Sequence, residues 1–475
     1  MKLRISSLAA ITLLVASAMP LQITAQAAPL TPPHYKLVDL GTFGGPHSQF
    51  NFGSRIINRK GAAAAGASTS IPDPPCTFDS PYCFIFQAGK YDNGKFKNLG
   101  ALAEGQDSFA IALNDFGIVV GGSNNGQVDP VTGAPIGVAV RWEKNKIVNL
   151  GTLGGSSSFA VDINDAGVTV GIAENTTPDP DNLGGELTGF PSPTQWRAAL
   201  WAGGTVLDLG TLGTGPDAFA LLVNKRNQVT GFSYTDSVVN SETGLPTVHA
   251  FLWENGKMTD IPSLGGLFAS PSGLNDRGQV VGTSDLAGDL TQHPFSWFRG
   301  VLTDLGTLGG TNGNAAWVND AGAIVGAADL LGDVSHHGFL WQDGVMQDLP
   351  PIANAPCSNA FGINSRGQVV GNSTDCNGNG LGATLWDRGR VFDLNTFVPA
   401  GSGIFLYECA FVGENGEIAV AGEVSNGDHH AFLLLPMEDG NEHAALPSSP
   451  TAIKHSVAAS EFVRSSPGIR IKPRN

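Results

Sequence analysis

Positively charged residues are scarce in this sequence. Its 475 residues include 26 Lys and Arg against 42 Asp and Glu, which gives a formal net charge of −16. Nucleic-acid binding draws most of its affinity from cationic side chains that neutralise phosphates. The basic residues worth noting as a cluster are Arg470, Lys472 and Arg474, close to the C-terminal end. We therefore expect no nucleic-acid partner, and an acidic surface that keeps the protein in solution.

Long apolar segments are lacking after the first 27 residues. Lys2 and Arg4 precede an apolar run over residues 5–19, and an A-Q-A cleavage motif follows at residues 25–27. That run is short for a spanning helix, which needs about 20 apolar residues. Its flanks are typical of a secretory signal peptide. We therefore expect residues 1–27 to be a signal peptide, the protein to be secreted or periplasmic, and no stable membrane insertion.

Cysteine is rare, and the five that occur suggest disulfides in an exported protein. Cys357 and Cys376 flank a hairpin turn, and counting back from that turn puts them almost opposite each other on adjacent strands. Cys76 and Cys83 flank a short loop and are close enough in sequence to pair. We predict these two bridges, and we expect Cys409 to be a free thiol in a small buried position.

One phrase dominates the sequence and recurs eight times, about every 50 residues. A period of this length indicates a repeat architecture. One landmark is the Asn of an Asn-x-x-Gly turn, which stands at Asn58, Asn114, Asn164, Asn224, Asn275, Asn319 and Asn364, with Gly413 in the eighth copy. The second landmark is an aromatic residue, assigned to Phe86, Trp142, Trp201, Trp253, Trp297, Trp341 and Trp386, with Leu434 in the eighth copy.

Each repeat reads as four short strands, because its segments are rich in β-branched and aromatic residues and are separated by Asn-Gly, Asp-Gly and Asn-x-x-Gly turns. Asn, Asp and Gly suit such turns because they tolerate positive φ. The sequence therefore predicts an all-β protein, an eight-bladed β-propeller of four-stranded blades.

The two ends of the repeat region sharpen this prediction. Residues 36–41 form a lone fourth strand, and residues 431–435 form a third strand that lacks a fourth. We expect the N-terminal strand to complete the last blade and close the ring. The propeller would span residues 28–436, followed by a disordered C-terminal tail over 437–475. An open β-solenoid is the alternative, but both incomplete ends would then need caps.

The H-A-F-L-W segment at residues 249–253 and the D-L-G-T-L-G-G segment at residues 304–310 resemble the defining phrases of the bacterial extracellular HAF-repeat proteins. The resemblance covers all eight repeats. It implies export and a repeat scaffold, and it implies no established reaction and no catalytic residues. The His of the phrase is replaced at or near Tyr82, Val138, Arg197 and Gly382. This His is therefore not expected to carry obligatory chemistry.

The repeated polar residues are expected to be structural. Equivalent positions of different blades are spread around a ring, whereas zinc ligands must lie within about 2.1 Å of one ion. The Trp is expected to pack between neighbouring blades, and the Asp of the D-L-G phrase to accept backbone N–H bonds. The residues concerned are His249, His293, His337 and His430, and Asp39, Asp208, Asp260, Asp304, Asp348 and Asp393.

Enzyme motifs are missing: the sequence has no G-x-S-x-G elbow, H-E-x-x-H, P-loop or EF-hand loop. The predicted inner strands offer Asp162, Glu408 and Arg55. A glycosidase needs two carboxyl groups within about 5–10 Å of each other, and these two acids lie five repeats apart. A non-catalytic protein is therefore predicted.

Binding residues concentrate on loops held by a rigid scaffold. The longest loops join the second and third strands of the first four blades, at residues 67–81, 122–137, 172–196 and 233–248. In the third of these, aromatic side chains next to carboxylates suit a sugar platform or a calcium-assisted contact. We predict a ligand site formed by Asp179, Asp181, Glu186, Phe190 and Trp196.

Calcium is the one cofactor that the sequence suggests. The acidic spacings Asp285 to Asp289 and Asp329 to Asp333 could bind Ca²⁺ weakly, although Asx turns explain them as well. No other cofactor is predicted.

These observations predict an exported, non-catalytic binding or surface-interaction scaffold that recognises an extracellular polysaccharide or a protein through its long-loop face. A carbohydrate-active hydrolase or lyase is the alternative. A purely structural envelope protein would differ only in lacking a small ligand. The sequence does not indicate the oligomeric state.

Overall fold

The computed structural model describes residues 33–73, 83–188, 192–241 and 244–437. The chain divides into two units, Met1–Pro33 and His34–Asn475, and every described strand lies in the second. The predicted signal peptide (1–27) and nearly all of the predicted tail (437–475) lie outside the described residues. No helix within the described ranges is long and apolar enough to cross a membrane.

The fold is all-β, as predicted, and its sheets are antiparallel. In the described part of the chain the strands form six four-stranded sheets and one eight-stranded sheet. The eight-stranded sheet consists of two four-stranded halves joined by one parallel pair, Val248 and Phe268. We call each four-stranded unit a strand group and number the groups in chain order. One strand group corresponds to one sequence repeat.

The strand bounds follow this grouping. The N-terminal strand β1 (Tyr35–Asp39) belongs to the last group. Groups 1 and 2 contain β2 (Gly44–Gln49), β3 (Ala63–Pro72), β4 (Phe84–Asp92) and β5 (Lys95–Asn98), then β6 (Ser108–Leu113), β7 (Val119–Val128), β8 (Pro135–Glu143) and β9 (Lys146–Asn149). Groups 3 and 4 contain β10 (Ser158–Ile163), β11 (Thr169–Pro178), β12 (Thr194–Ala202) and β13 (Thr205–Asp208), then β14 (Ala218–Val223), β15 (Val229–Tyr234), β16 (Val248–Glu254) and β17 (Lys257–Ile261).

Groups 5 and 6 contain β18 (Gly265–Leu274), β19 (Val280–Leu286), β20 (Gln292–Phe298) and β21 (Val301–Asp304), then β22 (Gly309–Val318), β23 (Ile324–Leu330), β24 (His336–Gln342) and β25 (Val345–Leu349). Group 7 contains β26 (Cys357–Ile363), β27 (Val369–Thr374), β28 (Gly380–Asp387) and β29 (Arg390–Asp393), and group 8 contains β30 (Phe405–Val412), β31 (Ile418–Glu423) and β32 (His429–Pro436) with β1. A 3₁₀ turn spans Leu394–Phe397. A short helix that the sequence did not predict, α1 (Leu183–Thr188), interrupts group 3 between β11 and β12.

The N-terminal strand supplies the fourth strand of group 8. It runs antiparallel to β32, with register from Tyr35 opposite Pro436 to Asp39 opposite Phe432. The first and last groups also share one apolar core, in which Ile56 and Ala65 of group 1 pack with Leu433 of group 8. The two ends of the repeat region are therefore joined by a sheet and by side-chain packing.

The Asn of each Asn-x-x-Gly turn joins one group to the next. The side-chain Nδ2 of Asn275 donates to the carbonyl oxygen of Asn319, the equivalent residue of the next group, at 3.0 Å. Asn58, Asn114, Asn164, Asn224, Asn319 and Asn364 donate in the same way at 2.9 to 3.1 Å. Asn415 Nδ2 then donates to the carbonyl oxygen of Arg59 at 2.9 Å, from group 8 back to group 1. We call this series the asparagine chain.

The same Asn also holds its own turn. Asn275 Oδ1 accepts hydrogen bonds from the main-chain N–H groups of Arg277 and Gln279, both at 3.0 Å. The positive φ of the turn is taken by Gly278, at +84°. The sequence therefore located these turns correctly, but the Asn acts through its side chain. In the Asn255–Gly256 turn, by contrast, both residues take positive φ, as predicted.

The repeated Trp packs between neighbouring groups, as predicted. The indole Nε1 of Trp142 in group 2 donates to the carbonyl oxygen of Gly100, which follows group 1, at 3.2 Å. Trp201 and Trp386 reach the preceding group in the same way, at 3.3 and 2.8 Å. The indole therefore adds a directional bond to the apolar contact.

The aromatic landmark of the first repeat was assigned wrongly. The strand register places Tyr91 opposite Phe96, in the position that Trp142 takes opposite Ile147. Tyr91, not Phe86, is therefore the equivalent of the repeated Trp. The equivalent of the repeated His in this group is Gln87, four residues before Tyr91, whereas Tyr82 lies outside the described residues.

The described cysteines agree with the predicted pattern. A disulfide joins Cys357 and Cys376, whose Cα atoms are 5.2 Å apart. Cys409 is a buried free thiol. Cys83 is disulfide-bonded, and Cys76, its predicted partner, lies outside the described residues. Cys357 begins β26 and Cys376 follows the adjacent β27, which is the arrangement that the hairpin count predicted.

Candidate functional site

The repeated His and Asp residues pair with each other between the third and fourth strands of a group. Arg197 and Asp208 form the equivalent pair in group 3, at 3.1 Å. The His Nδ1 to Asp Oδ1 distances are 2.8 to 2.9 Å in His249–Asp260, His293–Asp304, His337–Asp348 and His430–Asp39. Each pair stays within one group, so the repeated His do not form a shared site. Within the described residues, no three His, Cys, Asp or Glu are arranged to hold a metal.

Side chains on or just after the first strands of groups that are not neighbours contact one another. Arg55 Nη2, in the segment after β2 of group 1, donates to the carbonyl oxygen of Val223 in group 4, at 3.3 Å. The rings of Phe52 and Phe361 (groups 1 and 7) and of Trp317 and Phe411 (groups 6 and 8) pack edge-on at 6.4 and 5.7 Å. Groups that are not neighbours in the chain are therefore in direct contact through these side chains.

The acidic residues predicted on inner strands are buried and separate. Asp162 is fully buried, and its carboxylate accepts the main-chain N–H groups of Ile163 and Val223, both at 2.9 Å. Burial raises the pKa of Asp162, opposed by the charge of Arg55 and by these two bonds. Glu408 is also buried, and burial raises its pKa to about 8. Its partner is Asn372, whose Nδ2 donates to Oε1 at 3.3 Å.

The predicted long loops are partly strand. β3, β7 and β11 continue to Pro72, Val128 and Pro178, so strands extend into 67–81, 122–137 and 172–196. In the fourth loop, the described residues between Tyr234 and Val248 form no strand. We call the connections between second and third strands the hairpin surface. They lie opposite the Asn-x-x-Gly turns because each second strand runs from one face to the other.

Exposed aliphatic side chains concentrate on this hairpin surface. Leu290 and Leu331 are 91% and 87% exposed on the connections of groups 5 and 6. The further members are Val131, Val238, Val239 and Val334, and Ile71 and Val128 lie beside them at the ends of β3 and β7. A second set of exposed aliphatic residues lies on the fourth strands: Val148, Leu207, Val301, Val345 and Val391.

The structure describes four of the five predicted ligand residues, two of them exposed and two buried. Asp181 and Glu186 are exposed, and Phe190 lies outside the described residues. Trp196 lies in β12, not in a loop, and is 4% exposed within an apolar core. Asp179 is also buried, at 6% exposed. The predicted exposed platform at Trp196 is therefore corrected, because this side chain presents no open face to solvent.

Asp179 and Trp196 nevertheless come together, around a residue that the sequence did not single out. Asp217 precedes β14 and is fully buried, and its Oδ1 accepts the main-chain N–H of Trp196 at 2.7 Å. Asp179 Oδ2 accepts the N–H of Gly184 in α1 at 3.1 Å. A Cβ atom on Gly184 would lie 2.7 Å from Asp217 Oδ1 and 2.8 Å from Trp196 Cδ1. Helix α1 therefore covers Asp217 and Trp196 directly. We call the buried site that α1 covers, formed by Asp179, Trp196 and Asp217, the α1 pocket.

Electrostatics in the α1 pocket favour a proton or a cation. Burial and the nearby charge of Asp179 raise the pKa of Asp217 to about 7, against the effects of the Trp196 N–H and Arg197. Tyr234 donates its hydroxyl to the carbonyl oxygen of Leu183 in α1, at 3.0 Å. Burial, followed by the charges of Asp217, Asp179 and Glu186, raises the pKa of Tyr234.

Three buried polar atoms near this pocket have no hydrogen-bond partner: Thr194 Oγ1, Trp196 Nε1 and Asp217 Oδ2. Buried polar groups are normally paired, because an unpaired one costs about 1–3 kcal/mol. The sequence does contain a signal for Asp217, because an Asp recurs at the same place in another repeat. Asp107 precedes β6 as Asp217 precedes β14, and its Oδ1 accepts the N–H of Phe86 at 2.7 Å.

The two acidic spacings suggested for Ca²⁺ serve the main chain. Asp289 Oδ1 accepts the N–H of Leu267 at 2.6 Å, and Asp333 Oδ1 accepts the N–H of Thr311 at 2.8 Å. Both residues take positive φ, at +56° and +57°. These contacts agree with the turn explanation, and weak Ca²⁺ binding stays a prediction.

Comparisons with known proteins give a likeness in fold. No family model matches the chain, and no curated protein matches it. A β-propeller domain of the Trilobed protease from Pyrococcus furiosus is 9% identical over 82% of this chain and 94% of that chain, with a TM-score of 0.40. A gluconolactonase from Xanthomonas campestris is 8% identical over 85% and 90%, with a TM-score of 0.32. TolB from Acinetobacter baumannii is 12% identical over 68% and 80%, with a TM-score of 0.30. Identities this low carry no information about activity.

Proposed function

We propose that this chain is an exported, closed eight-bladed β-propeller that acts as a non-catalytic binding or surface-interaction scaffold. Three features support the closed ring: β1 as the fourth strand of group 8, the asparagine chain that returns from Asn415 to Arg59, and the side-chain contacts between groups that are not neighbours. Each strand group would be one blade. The HAF-repeat resemblance and the predicted signal peptide support export.

The observation that carries the binding role is the contrast between the repeated residues and the hairpin surface. The repeated Asn, His and Asp are engaged in hydrogen bonds within or between groups, and the repeated Trp is packed in apolar clusters. The hairpin surface instead displays Leu290, Leu331 and their equivalents to solvent. Exposed apolar groups clustered on one face are typical of interaction sites. The partner would be an extracellular polysaccharide or a protein.

A hydrolase or lyase is the competing function, and one observation favours it. Glu408 is an acid whose pKa is raised to about 8, as in a general acid that stays protonated near neutral pH. Its carboxyl group is buried against Asn372, however, and Asp162 is occupied by two main-chain N–H groups. A substrate would have to reach a closed position, so we favour binding without turnover.

Co-sedimentation of the full chain with insoluble chitin, cellulose and purified peptidoglycan tests the proposal. We expect binding to at least one polymer, and loss of that binding in the variant Leu290→Ser/Leu331→Ser. Val301→Ser/Val345→Ser is the matched control, because it removes exposed aliphatic groups from the fourth strands of the same two groups. Equal loss or equal retention in both variants would contradict the assigned surface. Release of soluble sugar would favour the hydrolase or lyase.

A further inference from the structure

We infer that the α1 pocket is a binding site for a small ligand that carries an ammonium group beside hydroxyl groups, as an amino sugar does, and that α1 is the cover of this site. The inference rests on the proposed binding function and adds to it a ligand class and a position. It concerns buried groups between strand groups 3 and 4, away from the aliphatic residues of the hairpin surface.

The negative charge of the α1 pocket matches an ammonium group on the ligand. Asp179 and Asp217 both lie against Gly184, one through a hydrogen bond to its N–H and the other at the place a Cβ would take. Glu186 adds a third negative charge that acts on Tyr234. The nearby cation is Arg197, which is paired with Asp208 and donates to the carbonyl oxygen of Pro216. Buried carboxylates require a compensating cation or a proton, so a ligand with an ammonium group matches this excess.

Two polar atoms without hydrogen-bond partners match an ammonium group with a hydroxyl group beside it. Asp217 Oδ2 is an acceptor without a donor, and Trp196 Nε1 is a donor without an acceptor. Both side chains are at least nine-tenths buried, and both touch the space next to Gly184. An ammonium N–H would satisfy the carboxylate oxygen, and a neighbouring hydroxyl oxygen would accept from the indole N–H. An amino sugar presents both groups on adjacent carbons.

Aromatic side chains supply the apolar wall of such a site. Trp196 and Tyr234 belong to one buried cluster that also contains Leu183 of α1. Aromatic faces pack well against the C–H surface of a sugar ring and attract cations through their quadrupole. The pocket therefore combines an apolar wall, one free donor and one free acceptor beside a second carboxylate.

Helix α1 has the properties of a cover. It has six residues, two of them glycine, so its intrinsic helix stability is low. It is held over the pocket by Gly184 N–H to Asp179 and by the Tyr234 hydroxyl to Leu183. Gly184 lies so close to Asp217 and Trp196 that no larger residue fits there without displacing the helix. A ligand would enter when α1 lifts, and would then occupy the space that Gly184 now closes.

Isothermal titration of the full chain with glucosamine at pH 7.5 tests the inference. Glucose and N-acetylglucosamine are matched probes without the ammonium group, and we expect their affinities to be at least tenfold lower. Asp217→Asn keeps the acceptor for the Trp196 N–H but removes the charge, and we expect it to weaken glucosamine binding at least tenfold. Asp107→Asn is the control, because Asp107 makes the same main-chain bond in group 2. It is expected to bind glucosamine like the unchanged protein.

A second variant keeps the test decisive if Asp217→Asn does not fold. Trp196→Phe removes the unpartnered indole N–H but keeps an aromatic side chain, and it should weaken glucosamine binding roughly threefold to tenfold while the strand groups stay folded, as judged by thermal unfolding. No binding heat with glucosamine, equal affinity for glucose, or unchanged affinity in Trp196→Phe would each overturn the inference. The variant Leu290→Ser/Leu331→Ser should keep its affinity for glucosamine. If it also keeps polymer binding, the hairpin-surface proposal fails while the α1 pocket stands.

Discussion

The imidazole of His430 lies 2.9 Å from the carboxylate of Asp39, although 391 residues separate them in the chain. Its counterparts, such as His249 and Asp260, are separated by 11 residues. The contact is the same, and only the route of the chain differs. The His–Asp pair is therefore a property of neighbouring third and fourth strands, and the N-terminal strand provides it for the last group.

This relationship predicts equal coupling energies at both places. The Asp partners are partly exposed, so each pair is expected to contribute about 0.2–1 kcal/mol to the free energy of unfolding. Double-mutant cycles with His430→Ala and Asp39→Asn, and with His249→Ala and Asp260→Asn, should give the same coupling within error in urea unfolding. A coupling near zero at Asp39 alone would mean that β1 is not seated in solution.

Replacement of one Asn of the asparagine chain should lower the free energy of unfolding more than loss of a His–Asp pair. Asn275 is buried and makes three main-chain hydrogen bonds, two in its own turn and one to the next group. Asn275→Ala leaves these main-chain groups without partners, and we expect a loss of roughly 2–4 kcal/mol in the free energy of unfolding. Asn312→Ala, at an exposed Asn of group 6, is the control. A loss below 1 kcal/mol for Asn275→Ala would contradict the assigned role.

Acid should weaken the contact between group 8 and group 1. His47 of β2 stacks on His429 of β32 with ring centroids 5.8 Å apart, and the His429 main-chain N–H donates to His47 Nδ1 at 3.4 Å. Tyr407 bonds to His429 Nδ1 at 3.2 Å. Burial and the charge of His429 lower the pKa of His47 to about 4, and burial likewise lowers the pKa of His429. His430, Asp428 and Glu423 are the other charged groups that act on these rings.

The direction of this pH effect follows from the number of protons that the folded and unfolded states bind. Between about pH 6.5 and 4 the unfolded chain protonates His47 while the folded chain does not, so stability is present above pH 6.5 and falls as the pH drops through this window. We expect His47 to account for a loss on the order of 1–2 kcal/mol there. His47→Gln should flatten the pH profile of the urea midpoint in this range, and an unchanged slope would refute the prediction.

The buried acid Glu408 should give the opposite dependence of stability on pH. Its pKa is about 8 in the folded protein against roughly 4.3 in an unfolded chain. The folded state therefore binds more protons over this range, and stability falls as the pH rises from about 4 to 8. Glu408→Gln cannot ionise and still accepts from Asn372, so at pH 8 we expect it to be more stable by roughly 2–5 kcal/mol.

Urea unfolding of Glu408→Gln at pH 4.5 and pH 8 measures this difference, which should nearly vanish at the lower pH. A variant that is less stable than the unchanged protein at pH 8 would contradict the burial of an ionisable acid. The same variant bears on function. Glycan release that disappears in Glu408→Gln would assign this carboxyl group to catalysis.

The sequence predicted the repeating parts of the fold because their signals are local. The Asn-x-x-Gly turns and the Trp positions recur at fixed places in the four-strand pattern, so their strands and turns were located correctly. The first repeat was misread because Gly89 stands where four other copies carry Phe, and the ring of Phe96 lies against Gly89 instead. Phe86 was therefore assigned as the aromatic landmark of this repeat instead of Tyr91.

The candidate site was predicted less well, for a physical reason. Residues 172–196 look like a polar loop, but β11 and β12 extend into them and bury Trp196. Asp217 belongs to the next repeat and meets Asp179 and Trp196 only when groups 3 and 4 pack together. Its role depends on a contact between repeats, which spacing within one repeat does not reveal.

The asparagine chain has a consequence for how such proteins gain and lose copies of their unit. Every interior link uses one donor and one acceptor at the same position, so a unit duplicated inside the gene would arrive with both. The end of the series differs: the Gly413 carbonyl oxygen accepts from Asn364, but glycine has no side-chain amide to donate onward, and Asn415 donates to Arg59 instead. Growth and shrinkage by whole units are therefore compatible with the interior links, whereas the bond from Asn415 to Arg59 joins two residues that differ from that repeating pattern.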